Sequence, residues 1–309
     1  MPHKKITAAG LAAVACVAVA ACSSSGSGSG SSSSNPLSPS ASNTVVVGSA
    51  NFPEDELLAQ IYADALQSKG VKVTTKFNIG AREVYYPEVV KGAISIIPEY
   101  NGALLTTSVD KTSTAASTAD VDAALKAKLP SSVTILNSSA AQDKDSITVT
   151  QANAAKYHLT SIADLSSVAK TWVIGGPSEF ETRTDGIPGL KKVYGLTFKS
   201  FSPLDESGPI TLAALQNGKV QAADVFTTTP QIITDKLLSL SDPKNMFAAQ
   251  NVLPLVYKKA ASAKVVSALN AVSAKLTTAD LLAMNKSLSI NHESYTQVAS
   301  TWLSQNGLK

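Results

Sequence analysis

The side chains that could do chemistry are few. Of the three histidines, His3 lies in the extreme amino terminus, leaving His158 and His292, and neither belongs to a Ser, Cys or metal-ligand arrangement. His158 ends a polar helical stretch and His292 precedes another, positions that suit capping or surface roles. HxxxH, CxxC and calcium-loop spacings do not occur, and the glycine-rich run GSGSG sits in a serine tract rather than between a strand and a helix. No metal, cofactor or catalytic set is therefore expected. What remains is non-covalent recognition, for which Asp143, Asp145, Glu179 and Arg183 offer charge and Thr227 and Thr228 offer hydroxyls, unless the two threonines only serve a turn. The planar fork of Arg183 suits a carboxylate or a hydroxyl-rich solute, or else an ion pair within its own loop.

The amino terminus carries its own chemistry. Lys4 and Lys5 precede an apolar stretch, Ile6 to Ala21, too short and alanine-rich for a membrane span, and this predicts a signal peptide over residues 1–22. It ends in Val19-Ala20-Ala21-Cys22, which resembles the bacterial lipobox, so the Cys22 thiol is expected to accept diacylglycerol. Cys16 falls in the discarded segment, leaving Cys22 no partner for a disulfide. Acyl chains worth about 0.8 kcal/mol per buried methylene would hold the chain stably on the extracytoplasmic face of the cell membrane. Residues 23–43, nearly all Ser, Gly, Pro, Ala and Asn, cannot bury enough apolar area to order themselves and read as a tether with a reach of roughly 25 Å.

The folded part must position the recognition groups. Formal charge is only +3 with 16% charged residues, without the basic clusters that neutralise phosphates, so nucleic acid is not an expected partner. Val45-Val46-Val47-Gly48 reads as a strand, followed by a helix that Asn51 can cap, with Pro53 in its first turn, acidic residues against the dipole, Gly70 after it, and Leu57, Leu58, Ile61, Tyr62, Ala65 and Leu66 on one face. VKVTTKF alternates as a strand, AREVYYPEVVKG reads as a helix bent or stopped near Pro87, and AISII as a strand ending at Pro98. This βαβαβ order implies a mostly parallel sheet with a ligand crevice beyond the strands' carboxyl ends, at loops 49–52, 80–82 and 98–103. The order recurs from SITVT through VQAADVF, predicting a second α/β lobe. VVKGAISIIPEY and LQNGKVQAADVF share a helix–glycine–strand signature. The carboxyl-terminal helices are too few for a third core and should return to the first lobe. The expected division is 44–145 plus 246–309 for lobe 1 and 146–245 for lobe 2, with two crossings as a hinge.

Five segments in order, GSANFPEDELLAQIYADAL, KGAISIIPEYNG, AAKYHLTSIADL, PSEFETRTDGIPGLKKVYGL and ALQNGKVQAADVFTTTPQI, resemble the glycine betaine/choline/carnitine-binding proteins of osmoprotectant ABC importers, the OpuC/ProX-like type. The resemblance implies a monomeric two-lobed, venus-flytrap receptor of the type II periplasmic-binding-protein fold, delivering a small molecule to ABC permease and ATPase subunits. It also implies a quaternary ammonium held by aromatic faces, whose quadrupoles attract a cation without hydrogen bonds. On that basis Phe52 in SANF, Tyr100 in IPEYNG and Phe226 in DVFTTTP are the candidate rings. Asn51, Asp143, Asp145, Arg183, Thr227, Thr228 and Asn251 are candidate polar contacts. Asp143 and Asp145 fall at the expected crossing.

The chain departs from the family pattern where a lysine, a threonine, a tyrosine and an aromatic are usual and Ala50, Ala103, Asp145 and Asn251 stand. The pocket should therefore be more polar, with Tyr85 or Tyr86 as replacement rings, and a choline-like cation or a hydroxylated solute should outcompete glycine betaine. An exported enzyme or a membrane-tethered sensor could share the scaffold; the missing nucleophile, base and metal sets favour a receptor.

Overall fold

The computed structural model describes residues 44–309; the expected signal peptide, Cys22 and the tether lie outside the described residues. Strand β1 (Val45–Gly48) leads into helix α1 (Pro53–Ser68), strand β2 (Val73–Lys76), helix α2 (Arg82–Lys91) and strand β3 (Ile96–Tyr100). β1 pairs in parallel with β2 and β3. β4 (Val133–Ile135) and the returning strand β10 (Val252–Tyr257) complete a sheet in the order β2-β1-β3-β10-β4, with β10 antiparallel to both its neighbours.

A second sheet contains β5 (Ile147–Thr150), β6 (Val173–Gly176), β7 (Ser200–Pro203), β8 (Ala222–Asp224) and β9 (Leu237–Ser239) in the order β7-β6-β8-β5-β9. Its parallel part is β7-β6-β8, with β5 antiparallel to β8 and β9. The two sheets thus repeat one plan, in which the antiparallel fourth strand is the one the chain enters after crossing over. The duplicated signature finds its place here. Gly92 (φ 82°) and Gly218 (φ 70°) take the left-handed conformation just before β3 and β8, the third strand of each sheet.

Helix α1 is built as its punctuation predicts, with one difference. Leu57, Leu58, Ile61, Tyr62, Ala65 and Leu66 are all buried, each large apolar side chain contributing about 1.5–3 kcal/mol. They pack with Val298, Trp302 and Leu303 of the last helix (Tyr295–Gln305). The residue at the helix start is Phe52, which offers no side-chain cap, and Asn51 is exposed. The Ala50 amide, two residues before the helix start, donates to Asp55 Oδ2 at 2.5 Å, so a carboxylate of the first turn ties down the loop that leads into the helix, and no side chain caps it.

Two prolines do less than expected. Pro87 lies within α2, which runs through it to Lys91. Strand β3 starts later than the apolar run suggests and continues through Pro98 to Tyr100, because Pro98 faces Pro254 of β10. Neither proline has an N–H for a ladder, and opposing them confines that deficit to one register position.

Two crossings join the sheets, between β4 and β5 and between β9 and β10, and they are stitched together. Gln142 bridges Asn251, and the Asp143 amide donates to the Gln250 carbonyl at 3.2 Å. Gln250 and Asp145 exchange two hydrogen bonds, the Asp145 amide donating to Oε1 at 2.9 Å and Gln250 Nε2 to Oδ2 at 2.8 Å. Gly102 lies against these crossings so tightly that a Cβ there would sit 2.3 Å from the Ala249 carbonyl. Among the described residues no helix is long and apolar enough to cross a membrane.

Candidate functional site

Loops 49–52, 80–82 and 98–103, at the carboxyl ends of β1, β2 and β3, converge with the two crossings and with residues 180–185 of the second sheet's side around a cavity of about 50 Å³. On the same measure one water needs roughly 10–15 Å³, so this cavity suits a solute of a handful of heavy atoms. Phe52, Tyr100 and Phe226 all line it. The Phe52 ring lies 6.0 Å from that of Tyr100, tilted by 34°, and 5.2 Å edge-to-face from that of Phe226. The three form a continuous aromatic wall. Tyr85 and Phe180 add two more rings, both buried. Of the two replacement rings expected, Tyr85 lines the cavity; Tyr86 is not among its lining residues.

The polar candidates divide. Asp143, Asp145 and Arg183 line the cavity. Asn51 is exposed and does not line it. Thr227 is exposed and donates to Asp143 Oδ1 at 3.2 Å, while Thr228 is buried behind the wall, its amide donating to the same oxygen at 3.0 Å. Asn251 is structural: its Oδ1 accepts from Thr118 Oγ1, its Nδ2 donates to the Ser139 carbonyl, and its amide donates to Asn101 Oδ1. The antiparallel return of β10 carries Asn251 against β3 and away from the cavity, an orientation that periodicity does not reveal. Ala50, Ala103 and Asp145, three of the four positions that depart from the family pattern, do line it.

Both arginines in the lining are already engaged. Arg82 and Glu99 form a fully buried bidentate pair, Nε reaching Oε1 and Oε2 at 3.0 and 3.1 Å and Nη2 reaching Oε2 at 2.9 Å, and the Tyr85 hydroxyl donates to the same carboxylate at 2.9 Å. Burial opposes the Arg82 charge, and the Glu99 carboxylate more than restores it. Arg183 is paired too, not within its loop with Glu179 but across the cleft, Nε and Nη2 donating to Glu83 Oε1 and Oε2 at 3.0 and 2.9 Å. Beside this pair, Thr106 Oγ1 donates to Asp185 Oδ2 at 3.0 Å and Thr184 Oγ1 to the Thr106 carbonyl at 2.9 Å.

The carboxyls are less well provided for. Asp143, Asp145, Asp185 and Glu206 line the cavity, and Asp224 ends β8 behind it. Among the described residues, Oε2 of Glu206 and Oδ1 of Asp224 are buried without a hydrogen-bond partner. Burial pushes Glu206 up to about 7, against the pull of Arg183. Burial also raises Asp143, with the neighbouring Glu54 charge adding to it, and raises Asp185 and Asp224, where Asp145 adds. With each guanidinium matched by a glutamate from outside the lining, four carboxyls face a space holding no uncommitted positive charge. Arg82, Glu99, Phe180, Asp185 and Glu206 escape sequence reasoning because nothing local marks a buried ion pair or a carboxyl that closes a cleft from the opposite side. The EFETRTDG segment, which holds Phe180 and Asp185, was the nearest signal.

Residues 43–305 match the family described as the substrate binding domain of ABC-type glycine betaine transport systems. The chain belongs to this family. It is the solute-binding component of an ABC importer, in a family of transport receptors rather than catalysts, and it works with permease subunits. The glycine betaine-binding protein YehZ of Escherichia coli K12 is 29% identical over 280 residues, 86% of this chain and 92% of that protein. A glycine-betaine-binding protein of Pseudomonas aeruginosa is 24% identical over 281 residues, 86% and 89% of the two chains. A glycine betaine/carnitine/choline ABC transporter structure superposes with a TM-score of 0.66 at 21% identity, covering 85% of this receptor and 99% of that chain. An ABC-transporter choline-binding protein in complex with choline gives 0.62 at 16%, covering 86% and 89%. The fold is accordingly that of the type II periplasmic binding proteins, two mixed sheets with flanking helices.

Proposed function

We propose that this receptor takes a small cationic solute without a carboxylate, of the quaternary ammonium alcohol class that choline represents, in preference to a zwitterionic betaine. One observation carries this reading: both arginine forks that could hold a ligand carboxylate are filled by Glu99 and Glu83, while Glu206 keeps an unpartnered acceptor at the cavity. A trimethylammonium group would lie on Phe52, Tyr100 and Phe226, each good cation–π contact worth about 0.5–2 kcal/mol, and a hydroxyl would donate to Glu206. A ligand carboxylate brought in as a fifth among these four would meet repulsion with no uncommitted cation to offset it. The lobes are 44–145 with 246–309, and 146–245. The cation enters between them.

Calorimetry with choline and glycine betaine tests the assignment, and pH sharpens it. A bound cation favours ionised Glu206, so below about pH 7 binding must release the proton that burial holds there. Choline affinity is expected to rise by up to about tenfold between roughly pH 6 and pH 8 and then level off, and Glu206→Gln should flatten the profile. Tighter binding of glycine betaine than choline, or an unchanged profile in the variant, would count against the reading.

Membrane attachment through diacylated Cys22 belongs to the same proposal, supported by the Val19-Ala20-Ala21-Cys22 pattern and the polar tract behind it. Cys22→Ala is expected to move the protein from the membrane to the soluble fraction. Retention of the variant on membranes in high salt would refute the anchor.

A further inference from the structure

Behind the aromatic wall a single carboxyl gathers groups from both sides of the cleft. Glu54, in the first turn of α1, is only 4% exposed and lines not the ligand cavity but the wider groove of about 800 Å³ on the far side of Phe52 and Phe226. Its Oε1 accepts from the Tyr100 hydroxyl at 2.6 Å. Its Oε2 accepts from Thr228 Oγ1 at 2.6 Å and from Asn285 Nδ2 at 2.5 Å. Asn285 belongs to the helix Thr278–Ser289 and donates as well to the Thr228 carbonyl at 3.2 Å. Thr228 in turn is held by Asp143 of the hinge through its amide. Strand β3, helix α1, a carboxyl-terminal helix and the loop after β8 therefore meet on one side chain.

An acid at this position would ordinarily serve the helix dipole from the surface. Glu54 is buried instead, and burying a carboxyl is costly unless its oxygens are satisfied, as they are here by three donors. Burial raises its pKa, and the bonds from Thr228, Tyr100 and Asn285 pull it back down. Leucine or alanine would pack the first turn of a helix at lower cost, so the arrangement asks for a role.

We infer that Glu54 is a positioning residue for ligand capture: its carboxyl fixes the Tyr100 ring against the cavity and ties the second lobe's Thr228 to that ring, so that the aromatic wall and lobe closure are set together. The part concerning affinity rests on the cationic-ligand reading above. The part concerning closure does not. Among the described residues the Tyr100 hydroxyl has no other side-chain partner, so without Glu54 its ring is free to turn from the cavity, and Thr228 loses its side-chain tie, keeping only the backbone bonds from its amide to Asp143 and from Asn285 to its carbonyl.

The test is a double-mutant cycle on the full chain, with choline as probe, together with a ligand-free distance measurement. Glu54→Ala is expected to weaken choline binding about tenfold and Tyr100→Phe by a similar or smaller factor, with the double variant no worse than Glu54→Ala. Glu54→Gln, which can still accept from Thr228 and donate to the tyrosine oxygen, should lie within a few-fold of wild type. Spin labels on Val84→Cys and Ile210→Cys, both exposed and on opposite lobes, in a chain carrying Cys16→Ser and Cys22→Ser, report the gap without ligand. Glu54→Ala should broaden that distance toward longer values, and Glu54→Gln should not. Fully additive affinity losses or an unchanged distance in Glu54→Ala would overturn the inference. If choline binds no variant, wild type included, only the ligand reading falls, and the distances alone then decide whether the tie stands.

Discussion

Glu99→Ala is expected to be the most damaging single substitution in the described fold, lowering unfolding free energy by roughly 3–5 kcal/mol. Glu99 is 0% exposed and takes three contacts from Arg82, one from the Tyr85 hydroxyl and one from the Tyr100 amide. Truncating it leaves a guanidinium without a counter-charge and two further donors without acceptors, all on buried residues. The cost comes from the orphaned partners more than from the pair itself. Replacing both members, Arg82→Met with Glu99→Leu, should therefore recover the part of the deficit due to the unpaired guanidinium, while the Tyr85 hydroxyl and the Tyr100 amide still lack their acceptor. Urea unfolding followed by far-ultraviolet circular dichroism measures both. A Glu99→Ala variant within about 1 kcal/mol of wild type would mean that water reaches this pair in solution.

The second large effect concerns what is bound. Glu83→Ala is expected to shift the ratio of glycine betaine to choline affinity toward betaine by about tenfold to a hundredfold, because it frees a bidentate fork at the cavity for the ligand's own carboxylate. Stability should barely change. Glu83 has a side chain 49% exposed, and an ion pair so placed is worth at most about 1 kcal/mol. Arg183→Ala supplies the contrast: it removes the fork altogether and should leave betaine weak. Paired titrations of the two variants with both ligands check this, and an unchanged ratio in Glu83→Ala would show that Arg183 does not face the bound solute.

These two pairs also show what the sequence could and could not disclose. Glu99 and Arg82 stand seventeen positions apart, on β3 and at the start of α2, with no periodic or motif relation. Only the parallel packing of β1 between β2 and β3 brings them together. Arg183 was legible as a cleft residue, and its partner was not. Glu83 and Arg183 lie on different lobes, and a hundred residues of chain separate them.

Residues close in sequence made their meaning plain. The alternation of strands and helices, the apolar face of α1, the two glycine signatures before β3 and β8, and the aromatic positions of Phe52, Tyr100 and Phe226 follow from local periodicity, turn chemistry and family resemblance. Each of these acts over a few residues. The tertiary structure alone decided that β10 returns antiparallel beside β3 and binds Asn251 into the scaffold there, that Asp55 holds the loop before α1 while Asn51 stays exposed, and that Glu54 meets Thr228 and Asn285. It alone filled both arginine forks with protein carboxylates. Charge compensation and hydrogen-bond satisfaction are settled by whichever groups share a dry space, and chain crossings between two sheets, not spacing along one segment, determine which groups those are.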